Sequence, residues 1–181
     1  RRNFTLHEED ISNELYQIIY EYVEDSVESN CSGPQNDWDL PMLKQDLLNI
    51  LGFDVSIEKL TNKDELVNLI CSEAKDIIQF KQENFDKDLF NNFQKFIILR
   101  TIDEKWQDHL YSMDQLREGI GLRAYGQKNP LVEYKQEGFG MFEEMMIDTN
   151  KETLKRIFRT DLTRIAQRNI NVEQKTKNLQ T

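Results

Sequence analysis

"LREGIGLRAYGQKNPLVEY" (residues 116–134) decides how this chain folds. Upstream of it, Phe90, Phe93, Ile97, Leu99, Ile102, Trp106, Leu110, Met113, Leu116 and Ile120 keep a three-four rhythm, the spacing of one helix face. At 1.5 Å per residue, roughly 33 residues make a rod of about 50 Å. Gly119 and Gly121 supply its C-terminal stop. Asn129-Pro130 then opens a second helix, with Asn129 as N-cap and the proline in the first turn, where it is tolerated. The second stripe is Phe139, Phe142, Met146, Leu154, Ile157, Phe158, Leu162 and Ile165. Gly138 and Gly140 fall inside it. Each costs up to about 1 kcal/mol relative to alanine, so a bend or a close helix contact is expected there. Two rods joined by a short loop pack antiparallel along their length and leave the loop protruding at one end.

The remaining segments read as shorter helices. Thr5 and Glu8 form a capping box that predicts a helix from about 6 to about 27, with Ile11, Leu15, Ile18, Ile19, Tyr22 and Val23 as its stripe. "ESNCSGPQND" (28–37) is a loop by composition. Asp39 caps a helix with Pro41 in its first turn, Leu40, Leu43, Leu47 and Leu51 on one face, and Gly52 at its end. "FDVSIEKL" (53–60) reads equally as a short strand or a connector. Asn62 and Glu65 form a second capping box, followed by the stripe Leu66, Leu69, Ile70, Ala74, Ile77 and Ile78. The residues after about 170 are polar and read as a frayed tail. The fold class is therefore all-α: a long antiparallel hairpin plus a smaller helical lobe.

Composition narrows the function classes. The chain has 181 residues and a net charge of −10. Residues 1–86 hold 19 acidic and 7 basic side chains, whereas 87–181 hold 14 and 16. Such an acidic lobe argues against general nucleic-acid binding. No apolar run approaches the ~20 residues that cross a bilayer. Cys31 and Cys71 lie far apart with no CxxC spacing, and His7 and His109 are isolated, so neither a metal site nor a disulfide is expected. The chain opens at Arg1 without a methionine and reads as a piece of something longer.

Catalytic motifs are missing. There is no GxxxxGK[ST] phosphate loop, no GxGxxG and no GxSxG. Asp103-Glu104 and Glu143-Glu144 are adjacent in sequence. Neighbours on a helix point about 100° apart, so these pairs do not face each other as a catalytic dyad would. His109 reads as a packed or half-buried helix residue, and Trp106, Met113 and Leu116 read as core. Lys155, Arg156, Arg159, Arg164 and Arg168 read as a solvated face; a second reading is contact with acidic lipid heads or with other domains.

The loop holds a residue that its turn does not require. Tyr125 stands beside Arg123, Gln127 and Lys128. Tyrosine offers a flat apolar face and one hydroxyl at low entropy cost, which suits contact with almost any unfolded polypeptide. The three neighbours add donors for backbone carbonyls. The plain alternative is that Tyr125 folds back and caps the hairpin.

From residue 99 the chain reads "LRTIDEKWQDHLYSMDQLREGIGLRAYGQKNPLVEYKQEGFGMFEEM". This closely resembles the SecA family of preprotein-translocating motor ATPases, whose pattern has the form IDxxWxxHLxxMDxLRxGIxLRxYxQxxPxxEYxxE. Ile102, Asp103, Trp106, His109, Met113, Asp114, Arg117, Gly119, Arg123, Tyr125, Gln127, Pro130, Glu133, Tyr134 and Glu137 all fit. The match is strong over about 95–150 and thin before 85. Ala124 departs from it, standing where glycine is common, which narrows the loop's backbone freedom.

The resemblance implies a division of the chain: 1–27 the end of a scaffold helix, 28–85 a helical wing, 86–168 the remaining scaffold with a two-helix finger, and 169–181 a flexible tail. It implies that the finger loop, through Tyr125, touches preprotein at a SecY-type channel. It implies no cofactor in this piece, with ATP and Mg held by the nucleotide-binding domains of the parent protein. It implies work on the cytoplasmic side, peripheral to the membrane. The sequence is most similar to cyanobacterial and plastid members, and its wealth of Asn and Lys suits an AT-rich plastid-type genome. A free-standing helical adaptor that binds a folded partner through the same loop is the competing reading; it requires a reading frame starting near residue 1.

Overall fold

The computed structural model describes residues 1–57, 60–121 and 129–161. Within them the chain forms α1 (Arg2–His7), α2 (Ser12–Asn30), a 3-10 turn (Gln35–Asp37), α3 (Leu40–Ile50), α4 (Lys63–Asn84), α5 (Lys87–Gly119) and α6 (Pro130–Arg159). No strand forms among the described residues, so the all-α class stands. The segment 53–57 is a connector that inserts Val55 and Ile57 into the core, and residues 58 and 59 lie outside the described residues.

Four helix starts are fixed by side-chain caps, three of them (Asp39, Asn62 and Asn129) expected from the sequence and the fourth, Asp86, not. Asp39 accepts from the Met42 amide (3.0 Å), Asn62 from Asp64 (2.8 Å), Asp86 from Leu89 (2.8 Å) and Asn129 from Leu131 (3.0 Å). Each satisfies one of the orphan N–H groups of a first turn. Gly52 ends α3 with φ +78°, a conformation that side chains disfavour.

The first helix differs from expectation. It is broken into α1 and α2 by residues 8–11, and α2 runs on to Asn30, three residues past the expected end. Thr5 is not an N-cap. It is buried inside α1, and its hydroxyl donates to the Arg1 carbonyl at 3.1 Å. The break is tertiary in origin. Asn91 of α5 donates to the Glu9 carbonyl and accepts from the Ile11 amide (3.4 Å), while Lys95 donates to the Glu8 carbonyl. Asp10 restarts the chain by accepting from the Ser12 amide at 2.8 Å.

One continuous core joins all the long helices. Leu15, Ile18, Ile19 and Val23 of α2 meet Leu43 and Leu47 of α3, Leu66, Ile70 and Ile78 of α4, and Phe90 and Ile98 of α5. Leu154, Ile157 and Phe158 of α6 close it. The core is thus built over the heel of the hairpin. The last buried residue of α5 is Thr101, and the first stretch of α6 to be steadily buried begins at Thr149.

Candidate functional site

The hairpin of α5 and α6 is the structure's most prominent feature, and its chemistry changes along its length. At the heel, polar braces join the two rods. Arg156 pairs with Glu104 (2.8 Å) and Glu152 (2.7 Å) and donates to the Thr101 hydroxyl (3.3 Å). Lys105 reaches Asp148 at 3.2 Å. Arg100 and Arg156 hold the Glu104 carboxyl below the ordinary carboxylate range. Arg156 is therefore half-buried rather than part of a solvated face, whereas Arg159 is exposed and also donates to the Leu48 carbonyl of α3 at 3.2 Å. Of the remaining basic stripe, Lys155 is exposed, and Arg164 and Arg168 lie outside the described residues.

Midway, the rods touch at Gly138. A Cβ there would stand 2.9 Å from Met113 Cε, so the expected close contact is present at this glycine. Gly140, two residues on, faces open space. Beyond the heel the shaft carries large apolar side chains that are exposed among the described residues. Trp106 is 45% exposed, a correction to its reading as core. A helix period identifies a face but does not reveal how far along it a partner extends. Met113 and Leu116 are half-buried between the rods.

His109 sits between aromatics, 5.5 Å from the Trp106 ring and 6.0 Å edge-on from Phe142, half-buried as expected. Ile102, Trp106, Phe142, Met145 and Met146 line an apolar groove of about 250 Å³ beside Arg1 and Arg2. Arg2 anchors this edge by pairing with Asp103 at 2.7 Å.

The loop itself, with Arg123, Tyr125, Gln127 and Lys128, lies outside the described residues. Its mounting is described. From Thr101 to Gly119 at 1.5 Å per residue, α5 carries the loop roughly 27 Å beyond its last buried side chain. Among the described residues no group of histidines, cysteines and carboxylates could hold a metal, and no helix is long and apolar enough to cross a membrane. Two residues with special environments carry no sequence signal. They are Lys81, which reaches across from α4 to the end of α6, and Gln94, which is 1% exposed with no hydrogen-bond partner for either amide atom.

A packed helical lobe gripping the heel of a long, largely bare hairpin defines a helical scaffold protein. The family model described as the SecA wing and scaffold domain matches residues 1–161, and the chain belongs to that family. Relatives named protein translocase subunit SecA are similar over most of the chain. That of Carboxydothermus hydrogenoformans is 36% identical over 170 residues, covering 91% of this chain and 20% of the relative. That of Rickettsia typhi is 37% identical over 147 residues, and that of Rickettsia prowazekii 38% over 149, each covering 78% of this chain and 16% of the relative. The chain thus spans a fifth or less of the length of these relatives.

Proposed function

We propose that this chain is the wing and scaffold part of a protein-translocating ATPase, and that its hairpin is a lever whose loop meets the moving polypeptide. Residues 28–85 act as the wing and 86–168 as the scaffold with its finger. Tyr125 makes the contact, and Arg123, Gln127 and Lys128 bond the backbone of the preprotein or the loops of a SecY-type channel. ATP and Mg are bound by nucleotide-binding domains elsewhere in the parent protein, which works on the cytoplasmic face of its membrane or in a plastid stroma. The bare shaft around Trp106 and Phe142 is the face against which other parts of the motor pack.

One observation carries this reading. Thr101 and Leu154 are sealed at the heel, while Tyr111 and Phe139 on the shaft are 67% and 62% exposed. A rod rooted at one end and bare along the rest moves its tip as a unit. A photoreactive amino acid at position 125 of the full-length parent protein tests the contact. It captures a stalled preprotein or a channel loop far more efficiently than the same probe at Tyr111. Equal labelling at the two positions overturns the reading.

A further inference from the structure

The C-terminal turn of α6 is held from two directions by the segment read as the wing. Lys81 of α4 donates to the carbonyls of Phe158 (2.7 Å) and Ile157 (3.1 Å), and its ammonium lies 6.0 Å from the centre of the Phe158 ring. Those carbonyls sit at the negative end of the helix dipole and have no partner within the helix, so a cation is well placed there. In return, Arg159 of α6 donates to the Leu48 carbonyl at the end of α3. Its Cγ lies 3.8 Å from where a Cβ on Gly52 would stand. Phe53, in the connector after α3, packs on Phe158 with ring centres 6.1 Å apart. The end of α3 and the end of α6 are thus each capped by a cation from another helix.

We propose that the wing is the fulcrum of the finger: Lys81 and Arg159 lock the last turn of α6 to α4 and α3, and so fix the angle at which the hairpin leaves the core. Both are positioning residues. The other polar contacts of the heel run within the hairpin, as Arg156 to Glu104 does, or to the N-terminal segment, as Arg1 to Asn150 (2.8 Å) does. The first kind keeps the rods together and the second holds the middle of α6. At its end, the wing clamp adds directional polar bonds to the core packing of Ile157 and Phe158. Burial lowers the pKa of Lys81, and the nearby Asp161 carboxylate opposes that shift. The proposal rests on the lever reading. Its test uses no translocation partner, so its failure is distinct from a failure of contact at residue 125.

The test measures distance. Spin labels replace Asp76 on α4 and Gln115 on the shaft, both exposed, with the buried Cys31 and Cys71 changed to alanine. The parent gives a narrow distance distribution. Lys81→Met keeps the stem and removes the donor; it broadens the distribution about twofold, as expected of a released hinge. Lys81→Arg restores the donor and the narrow distribution. Arg159→Ala, an exposed position, broadens it less. A structural role alone lowers the melting temperature in Lys81→Met without changing the distribution. An unchanged width in folded Lys81→Met overturns the proposal. Should that variant not fold, an unchanged width in Arg159→Ala does so.

Discussion

At the heel of the hairpin Ile98, Leu154 and Ile157 are fully sealed from solvent; further out along the same two helices, Tyr111 and Phe139 are two-thirds bare. The helices do not change, but what holds them does. The heel is held by a shared apolar core, which stabilises in proportion to area removed from water. The shaft is held by one close approach at Gly138 and by the other rod alone. Such a gradient suits a part that must be fixed at one end and free to act at the other. It also makes the two ends respond differently to the same kind of change.

The largest contrast is between two phenylalanines. Phe90 is 1% exposed and Phe139 62%. Phe90→Ala should cost about 3–5 kcal/mol, since it leaves a cavity in a packed interior. Phe139→Ala should stay within about 0.5 kcal/mol. Denaturant titration of both variants checks this, and comparable losses would erase the distinction between heel and shaft.

Gln94 sharpens the picture of the heel. A buried amide without partners costs about 1–3 kcal/mol. Gln94→Met keeps the volume and removes the polar atoms. Calorimetry should show a gain of about 1 kcal/mol, or about 3 °C in melting temperature for a chain of this length. A loss would mean that the amide is satisfied after all.

The two glycines of α6 test the shaft. Gly140→Ala meets open space and should gain about 0.5–1 kcal/mol from helix propensity alone. Gly138→Ala must displace the Met113 methyl group and should gain less. Combining it with Met113→Ala should restore part of the difference, which a double-mutant cycle would read directly.

Much of this architecture was legible in the sequence because it is local. The caps at Asp39, Asn62 and Asn129 each bond an amide two or three residues away, so the segment that needs the cap also contains it. The break at 8–11 was not legible, because Asn91 and Lys95, which hold its carbonyls, are some eighty residues distant. For the same reason Arg156 looks like part of a solvated stripe until Glu104 is brought to it. Trp106 fits a helical stripe perfectly well; what the stripe omits is that the lobe ends before reaching it. The family pattern lies mostly on the shaft and loop, where packing explains least.

The rooted, bare lever is tested most directly by amide hydrogen exchange along the two rods. Amides near Ile98–Thr101 and Leu154–Phe158 should exchange only through global unfolding, while those near Gln107–Gln115 and Glu133–Phe142 should open locally and exchange at least about a hundredfold faster. Uniform protection from heel to loop would contradict the account, because the hairpin would then be bound into the fold along its whole length.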